Sequence, residues 1–218
     1  MEIKFNFVVQ STLIMNQKHQ EDLSHIRSMM ERSSRFISLS GLSGVFAGIS
    51  AIIGGIYVFQ LFKNNGIAYF DGNQKAYNQN LILELLFVAV LVLFAALASG
   101  IFFTLRKSRK YNLPIWTKAT KMMLFNLAIP LLVGGVFCVA LVCHQLFAWI
   151  APATLLFYGL ALINAEKYTF SDIKYLGFSE IILGCISLFY LGYGLVFWIL
   201  GFGILHVFYG LLMFKKYK

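Results

Sequence analysis

Between Met122 and Ala165 the chain carries not one Asp, Glu, Lys or Arg, and acidic residues are scarce throughout, nine in 218. Charged residues make up 12% of the whole and apolar ones 59%, with a mean hydropathy of +0.75. This excludes a water-soluble domain, which needs a polar exterior that so few polar residues cannot supply. Cysteine is sparse as well. Cys138, Cys143 and Cys185 fall in or beside apolar stretches, and the five-residue step from Cys138 to Cys143 sets their thiols well apart around one helix, so no disulfide framework is expected. Cys143-His144 offers two soft ligands, too few for a metal site, and no metal or other cofactor is expected. Nor does the start read as a secretory leader: MEIKFNFVVQSTLIMNQ has one early lysine, an apolar run broken by Asn6 and Gln10, and no small-residue cleavage pattern.

What the chain does have is long apolar runs. A membrane-crossing helix needs about 20 mostly apolar residues, and six stretches qualify: 36–62, 81–105, 122–142, 146–165, 175–191 and 193–214. The uncharged stretch 122–165 is too long for one crossing and divides at Cys143-His144-Gln145. Residues 175–214 divide at Leu191-Gly192-Tyr193-Gly194, where two glycines permit a tight reversal. The expected fold is therefore all-α: one six-helix transmembrane domain over 36–214, a basic tail over 215–218, a cytoplasmic amphipathic helix over 16–35 and an irregular extension over 1–15, with Met15 as an alternative start.

The net charge of +9 is a matter of distribution. Five basic residues precede the first span, six lie between spans two and three (Arg106, Lys107, Arg109, Lys110, Lys118 and Lys121), two between spans four and five, and three in the tail. An even number of crossings puts these sixteen on one side, against only Lys63 and Lys75 on the other, which predicts both termini in the cytoplasm. The segment RKSRKYNLPIWTKATK is thus a topology signal that could also grip an anionic lipid head group, with Tyr111 and Trp116 as interfacial anchors. Nucleic-acid binding is excluded, because hardly any soluble basic domain remains to do it.

Within 16–36, Leu23, Ile26, Met29 or Met30, and Phe36 recur at helical spacing, and Arg27, Glu31 and Arg35 form an i, i+4 ladder. Its balanced charge suits packing on the protein's own loops, or docking of a cytoplasmic protein partner, better than electrostatic lipid binding.

In SGLSGVFAGISAIIGG, the residues Gly41, Gly44, Gly48, Ala51 and Gly55 step by 3, 4, 3 and 4 along one face. Small residues in register let another helix backbone approach closely, which drives helix association in lipid. Another helix of this chain is the expected partner; a second copy, in a homo-oligomer, is the alternative.

Similar spacing recurs twice near the C-terminus, as Gly177–Glu180–Gly184 and Gly203–His206–Gly210. An antiparallel hairpin turning near residue 193 sets Glu180 level with His206, Gly184 with Gly203 and Gly177 with Gly210. The expectation is a close-packed hairpin with a Glu180–His206 contact in the cytoplasmic half of the bilayer. An isolated ionisable group at depth costs about 3 kcal/mol on insertion scales. A shared hydrogen bond recovers about 1 kcal/mol, and neutral or proton-sharing forms avoid the charge cost. Weaker polar features are Glu84, Asn126 and Asn164, and the span-interrupting Pro130 and Pro152.

Two resemblances follow. Gly41-Leu42-Ser43-Gly44 with a sixth-helix histidine resembles the rhomboid proteases, but in that family the GxSG serine lies on the fourth helix and opens outward. Its first-loop Trp-Arg pair and its second-helix histidine and asparagine have no counterpart here. HExxH and paired membrane aspartates are absent, so no catalytic constellation is complete and an enzyme is not expected. From Met15 onward, DLSHIRSMMERSSRFISLSGLSG, INAEKYTFSDIKYLGFSEIILG and GYGLVFWILGFGILHVFYG resemble an uncharacterised family of small six-helix bacterial inner-membrane proteins with no assigned activity. The resemblance implies membership, topology and a multi-pass place in that membrane. Two functions fit: a small transporter or channel-like protein using Glu180 and His206 as a proton-sensitive pair, or a non-transporting scaffold or sensor that engages a partner through 16–35 and the basic loop.

Overall fold

The computed structural model describes Leu23 and residues 40–67, 77–112 and 114–217. Among the described residues there is no strand, and the chain runs as six helical rods. The first five are α1 (Gly41–Asn64), α2 (Gln79–Tyr111), α3 (Lys118–Cys143), α4 (Ile150–Ala165) and α5 (Ile173–Phe189). The sixth joins α6 (Gly194–Trp198), a π-helical stretch (Ile199–Leu205) and α7 (His206–Lys216) without a break. Single 3₁₀ turns at Phe147–Trp149, Glu166–Tyr168 and Leu191–Tyr193 close the last three connections.

Five rods are long and apolar enough to cross a membrane: α1, α2, α3, Phe147–Tyr168 around α4, and Leu191–Lys216. The remaining one, α5, has 17 residues, about 25 Å at the usual rise. The divisions expected at 143–145 and 191–194 are present, the first completed by Gln145 in the left-handed region (φ 61°). The expected extension over 1–15 lies outside the described residues, as does all of the 16–35 helix except Leu23, which is helical and exposed.

The largest boundary difference is at the C-terminus of α2. Helix α2 continues six residues beyond Leu105, carrying Arg106, Lys107, Arg109 and Lys110 on its last turns, while Lys118 and Lys121 sit at the start of α3. The expected basic loop shrinks to residues 112–117. Cations complement the negative end of the helix dipole and so favour this extension. Thr117 and Thr120 then start α3 with a reciprocal capping box.

The rods alternate in direction, and side-chain contacts tie their ends. At one end Lys107 reaches the Tyr217 carbonyl (3.4 Å), the Phe170 and Tyr217 rings pack with centroids 4.2 Å apart, and Asp172 accepts from Lys216 (2.7 Å) and Tyr217 (2.8 Å). The C-terminus of α2, the α4–α5 turn and the tail thus meet at this basic end. At the other, Tyr77 bridges Phe62 and Phe147.

Packing follows the small residues. A Cβ at Gly48 would stand 2.6 Å from the Gly203 carbonyl and one at Gly210 2.7 Å from the Gly41 carbonyl, so α1 and the sixth rod lie backbone to backbone. The partner of the α1 stripe is therefore within the chain, and Gly44, Ala51 and Gly55 join this face or flank it. The expected pairing of Gly203 and Gly210 with Gly184 and Gly177 is not what forms. Gly177 packs on Gly159, and Gly184 on Leu156, both of α4. Each glycine face pairs with the surface that lets backbones come closest, and for α5 that surface is α4. Beyond these contacts, α2 packs along α1 and α3 along α4, with no comparable face between α2 and α3.

Candidate functional site

Because α2 and α3 stand apart, a groove of about 1150 Å³ runs the length of the bundle between them. It extends from Ser40, Thr169 and Met213 at the basic end to Tyr77, Phe147 and Gly192 at the other. Its floor is α1, α4 and the sixth rod. Its walls are apolar over most of their length, and its few polar groups include Tyr158, His206 and Tyr209.

His206 opens α7 and is buried. Its Nδ1 lies 2.9 Å from the Gly201 carbonyl oxygen, and its Nε2 lies 2.8 Å from Tyr158 Oη. A carbonyl only accepts, so Nδ1 carries a hydrogen and donates it. In the neutral ring, Nε2 is then the acceptor and the Tyr158 hydroxyl donates. In the doubly protonated ring, Nε2 donates and the phenol oxygen accepts. The ring can therefore take up or release a proton at Nε2 without losing either partner.

Glu180 of α5 lies behind the histidine with no solvent exposure, and its Oε1 is 3.4 Å from the same Nδ1. Neither carboxyl oxygen has a hydrogen bond among the described residues. An under-satisfied buried carboxyl is expensive and calls for a reason. Among the described residues the adjacent imidazole is the only ion-pair partner close to it. The expected contact is present, and two neighbours missed from the sequence complete it, Tyr158 and Gly201.

The local fold explains the placement. In a regular α-helix, residues five apart point well away from one another. The π-helical stretch Ile199–Leu205 closes its turns over five residues, which brings the Gly201 carbonyl under the His206 ring. The same rephasing turns Gly201 toward α5, where a Cβ would collide with the Glu180 carboxyl and with Leu155. Gly203 is left to face α1. An aromatic row backs the ring: Trp198 to Phe202 at 5.1 Å, Phe202 to His206 at 5.9 Å and stacked, and Tyr158 to His206 at 5.3 Å.

Tyr158 did leave a trace in the numbering. The turn between α4 and α5 is centred near residue 169, equally far from Tyr158 and Glu180, so the depth argument that pairs Glu180 with His206 also levels Tyr158 with both. The π-helical stretch has no such trace beyond the closely spaced Gly201 and Gly203.

No family model, curated protein or solved structure matches this chain. Its chemistry rests on its own geometry.

The other sequence candidates are dispersed. Ser43 donates to the Ser40 carbonyl at the start of α1, not to a histidine. Asn164 donates to the Asn126 carbonyl, joining α4 to α3, and Glu84 is exposed on α2. Cys143 and His144 end α3, and no cluster of three or more metal-ligating side chains occurs among the described residues.

Proposed function

We propose that this chain is a six-span bacterial inner-membrane protein with both termini cytoplasmic, and that it works as a small proton-linked transporter. The basic bias supports the orientation: sixteen Lys and Arg fall on one side and Lys63 and Lys75 on the other. At 17 residues α5 meets the lower bound of about 17 for a spanning helix, and it makes the number of crossings even. One observation carries the transport reading. Tyr158 and His206 stand on the wall of a bundle-length groove, with the Glu180 carboxyl sealed directly behind them. Ionisable groups at membrane depth are costly and mark ion or proton sites. The groove's apolar walls offer a hydrated ion little to replace its water shell, so the cargo is apolar or amphipathic and the coupled ion is a proton.

The test is proton flux into vesicles of phosphatidylethanolamine and phosphatidylglycerol loaded with a pH-sensitive dye, under an imposed pH gradient. Protein-containing vesicles should dissipate the gradient faster than empty ones, and Glu180→Gln should return the rate to that of empty vesicles. A wild-type rate equal to the empty-vesicle rate, or an unimpaired Glu180→Gln, would overturn the reading.

A further inference from the structure

We propose that the groove between α2 and α3 binds a membrane lipid with an anionic head group, its acyl chains entering sideways from the bilayer and its head lying at the basic end. This deepens the transport reading by naming the cargo; it rests on that reading for the movement of the lipid but not for its binding.

Four observations converge. First, the groove opens between two rods that are each apolar enough to cross a membrane, so acyl chains are what surround its mouth. Leu86, Leu93 and Leu97 of α2, and Leu131, Val139 and Val142 of α3, both line the groove and are exposed, which makes the rim continuous with the lipid-facing surface. Second, at about 1150 Å³ it exceeds the usual range of about 300–1,000 Å³ for small-molecule pockets. Its length, from Ser40 and Thr169 to Tyr77 and Gly192, suits an extended chain better than a compact solute. Third, Tyr209 lines the groove between His206 and the basic end, and its hydroxyl is buried with no hydrogen-bond partner among the described residues. A buried donor without an acceptor is costly, and a side-chain rotation that turns this hydroxyl into the groove lets a lipid ester or phosphate oxygen supply one. Fourth, the same end gathers the cations. Arg106, Lys107, Arg109 and Lys110 end α2, Lys118 and Lys121 begin α3, and these two rods are the groove's two walls. Basic residues beside a cleft between membrane helices suit an anionic head group.

The protein carries its own reporter, because Trp198 lines the groove. With Trp116→Phe and Trp149→Phe, Trp198 is the sole tryptophan. The full chain is reconstituted in phosphatidylcholine vesicles containing a few mole per cent of brominated phosphatidylglycerol or, separately, brominated phosphatidylcholine. Bromine on an acyl chain quenches tryptophan only at close range. The anionic lipid should quench Trp198 at roughly fivefold lower mole fraction than the zwitterionic one, the selectivity that one basic contact confers. Gly100 and Gly135 line the groove, and a Cβ at either meets nothing within 4 Å, so Gly100→Leu and Gly135→Phe add bulk to it from positions where the first carbon has room. They should abolish the preference, and Tyr209→Phe should weaken it. Equal quenching by the two lipids, quenching unaffected by filling, or no quenching at all because residues 1–39 or a second copy occupies the groove, would each overturn the proposal. Proton flux that survives Glu180→Gln would instead sink the transport reading and leave the quenching result intact.

Discussion

Tyr158 Oη and His206 Nε2 meet at 2.8 Å across α4 and the sixth rod, and this bond joins the groove wall to the carboxyl behind it. Tyr158 is the only described side chain hydrogen-bonded to the imidazole, since the Nδ1 bond goes to a backbone carbonyl. Removing its hydroxyl leaves Nε2 without its partner at little cost in packing. Tyr158→Phe is therefore expected to fold, to lose about 1 kcal/mol of stability, and to slow proton flux several-fold. Melting in detergent and the dye assay together check this; unchanged flux would place Tyr158 outside the proton path.

Glu180 offers a stability test with the opposite sign. Its oxygens have no hydrogen bonds among the described residues, so the group gives little back for its burial. Glu180→Met, apolar and of similar length, should melt at the same temperature as wild type or a few degrees higher. The same protein should show no proton flux. A variant that melts well below wild type would mean the carboxyl holds the bundle together.

Gly201 is required by Glu180, because a methyl group there would strike the carboxyl and Leu155. Gly201→Ala should destabilise by about 1–3 kcal/mol, the usual cost of overpacking. Shortening the obstacle should recover much of that, so Gly201→Ala with Glu180→Ala should melt above Gly201→Ala alone. Additive losses in this double-mutant cycle would dismiss the contact.

Glycines separate into two classes by what surrounds them. At Gly48 and Gly210 a Cβ would run into backbone atoms 2.6–2.7 Å away, so alanine there should force α1 and the sixth rod apart and cost several degrees of melting temperature. At Gly100 and Gly135 the space is open, and alanine should stabilise by about 0.5–1 kcal/mol through helix propensity alone. Parallel melting of the four variants decides whether the stripe is the seam.

The tail is pinned by Asp172, which accepts from Lys216 and Tyr217. The Lys216 hydrogen bond, joined by that of Tyr217 and opposed by partial burial, holds the Asp172 carboxyl below its ordinary value. Its contribution is therefore complete above the ordinary carboxylate pKa of about 4 and is lost as pH falls through the lowered value. Protease sensitivity of the tail should rise below about pH 4, whereas in Asp172→Asn it should not change with acid. The effect should be small, because Lys216 is largely open to solvent and the Asp172 carboxyl is only partly covered.

Much of this architecture is legible in the amino-acid sequence. Apolar run length marked out the six helical rods, five of them long and apolar enough to cross a membrane, and both inner reversals, because a bilayer asks about the same length of every helix that crosses it. Equal depth in an antiparallel pair put Glu180 beside His206, since helical rise is constant. Tyr158 was within reach of the same reasoning at the neighbouring turn.

What composition and spacing settled were the apolar character of the rods, their number and the level at which the polar groups meet. Each follows from periodic geometry along one helix, or from the mismatch between apolar side chains and water. Which faces pair was decided only in three dimensions. Gly203 and Gly210 met α1, Gly177 and Gly184 met α4, and a π-helical stretch turned Gly201 toward the carboxyl. A glycine face specifies close approach but not a partner, and whether a turn closes over four residues or five depends on what packs against it. The groove is likewise a tertiary outcome, because α2 and α3 each found a better neighbour than the other.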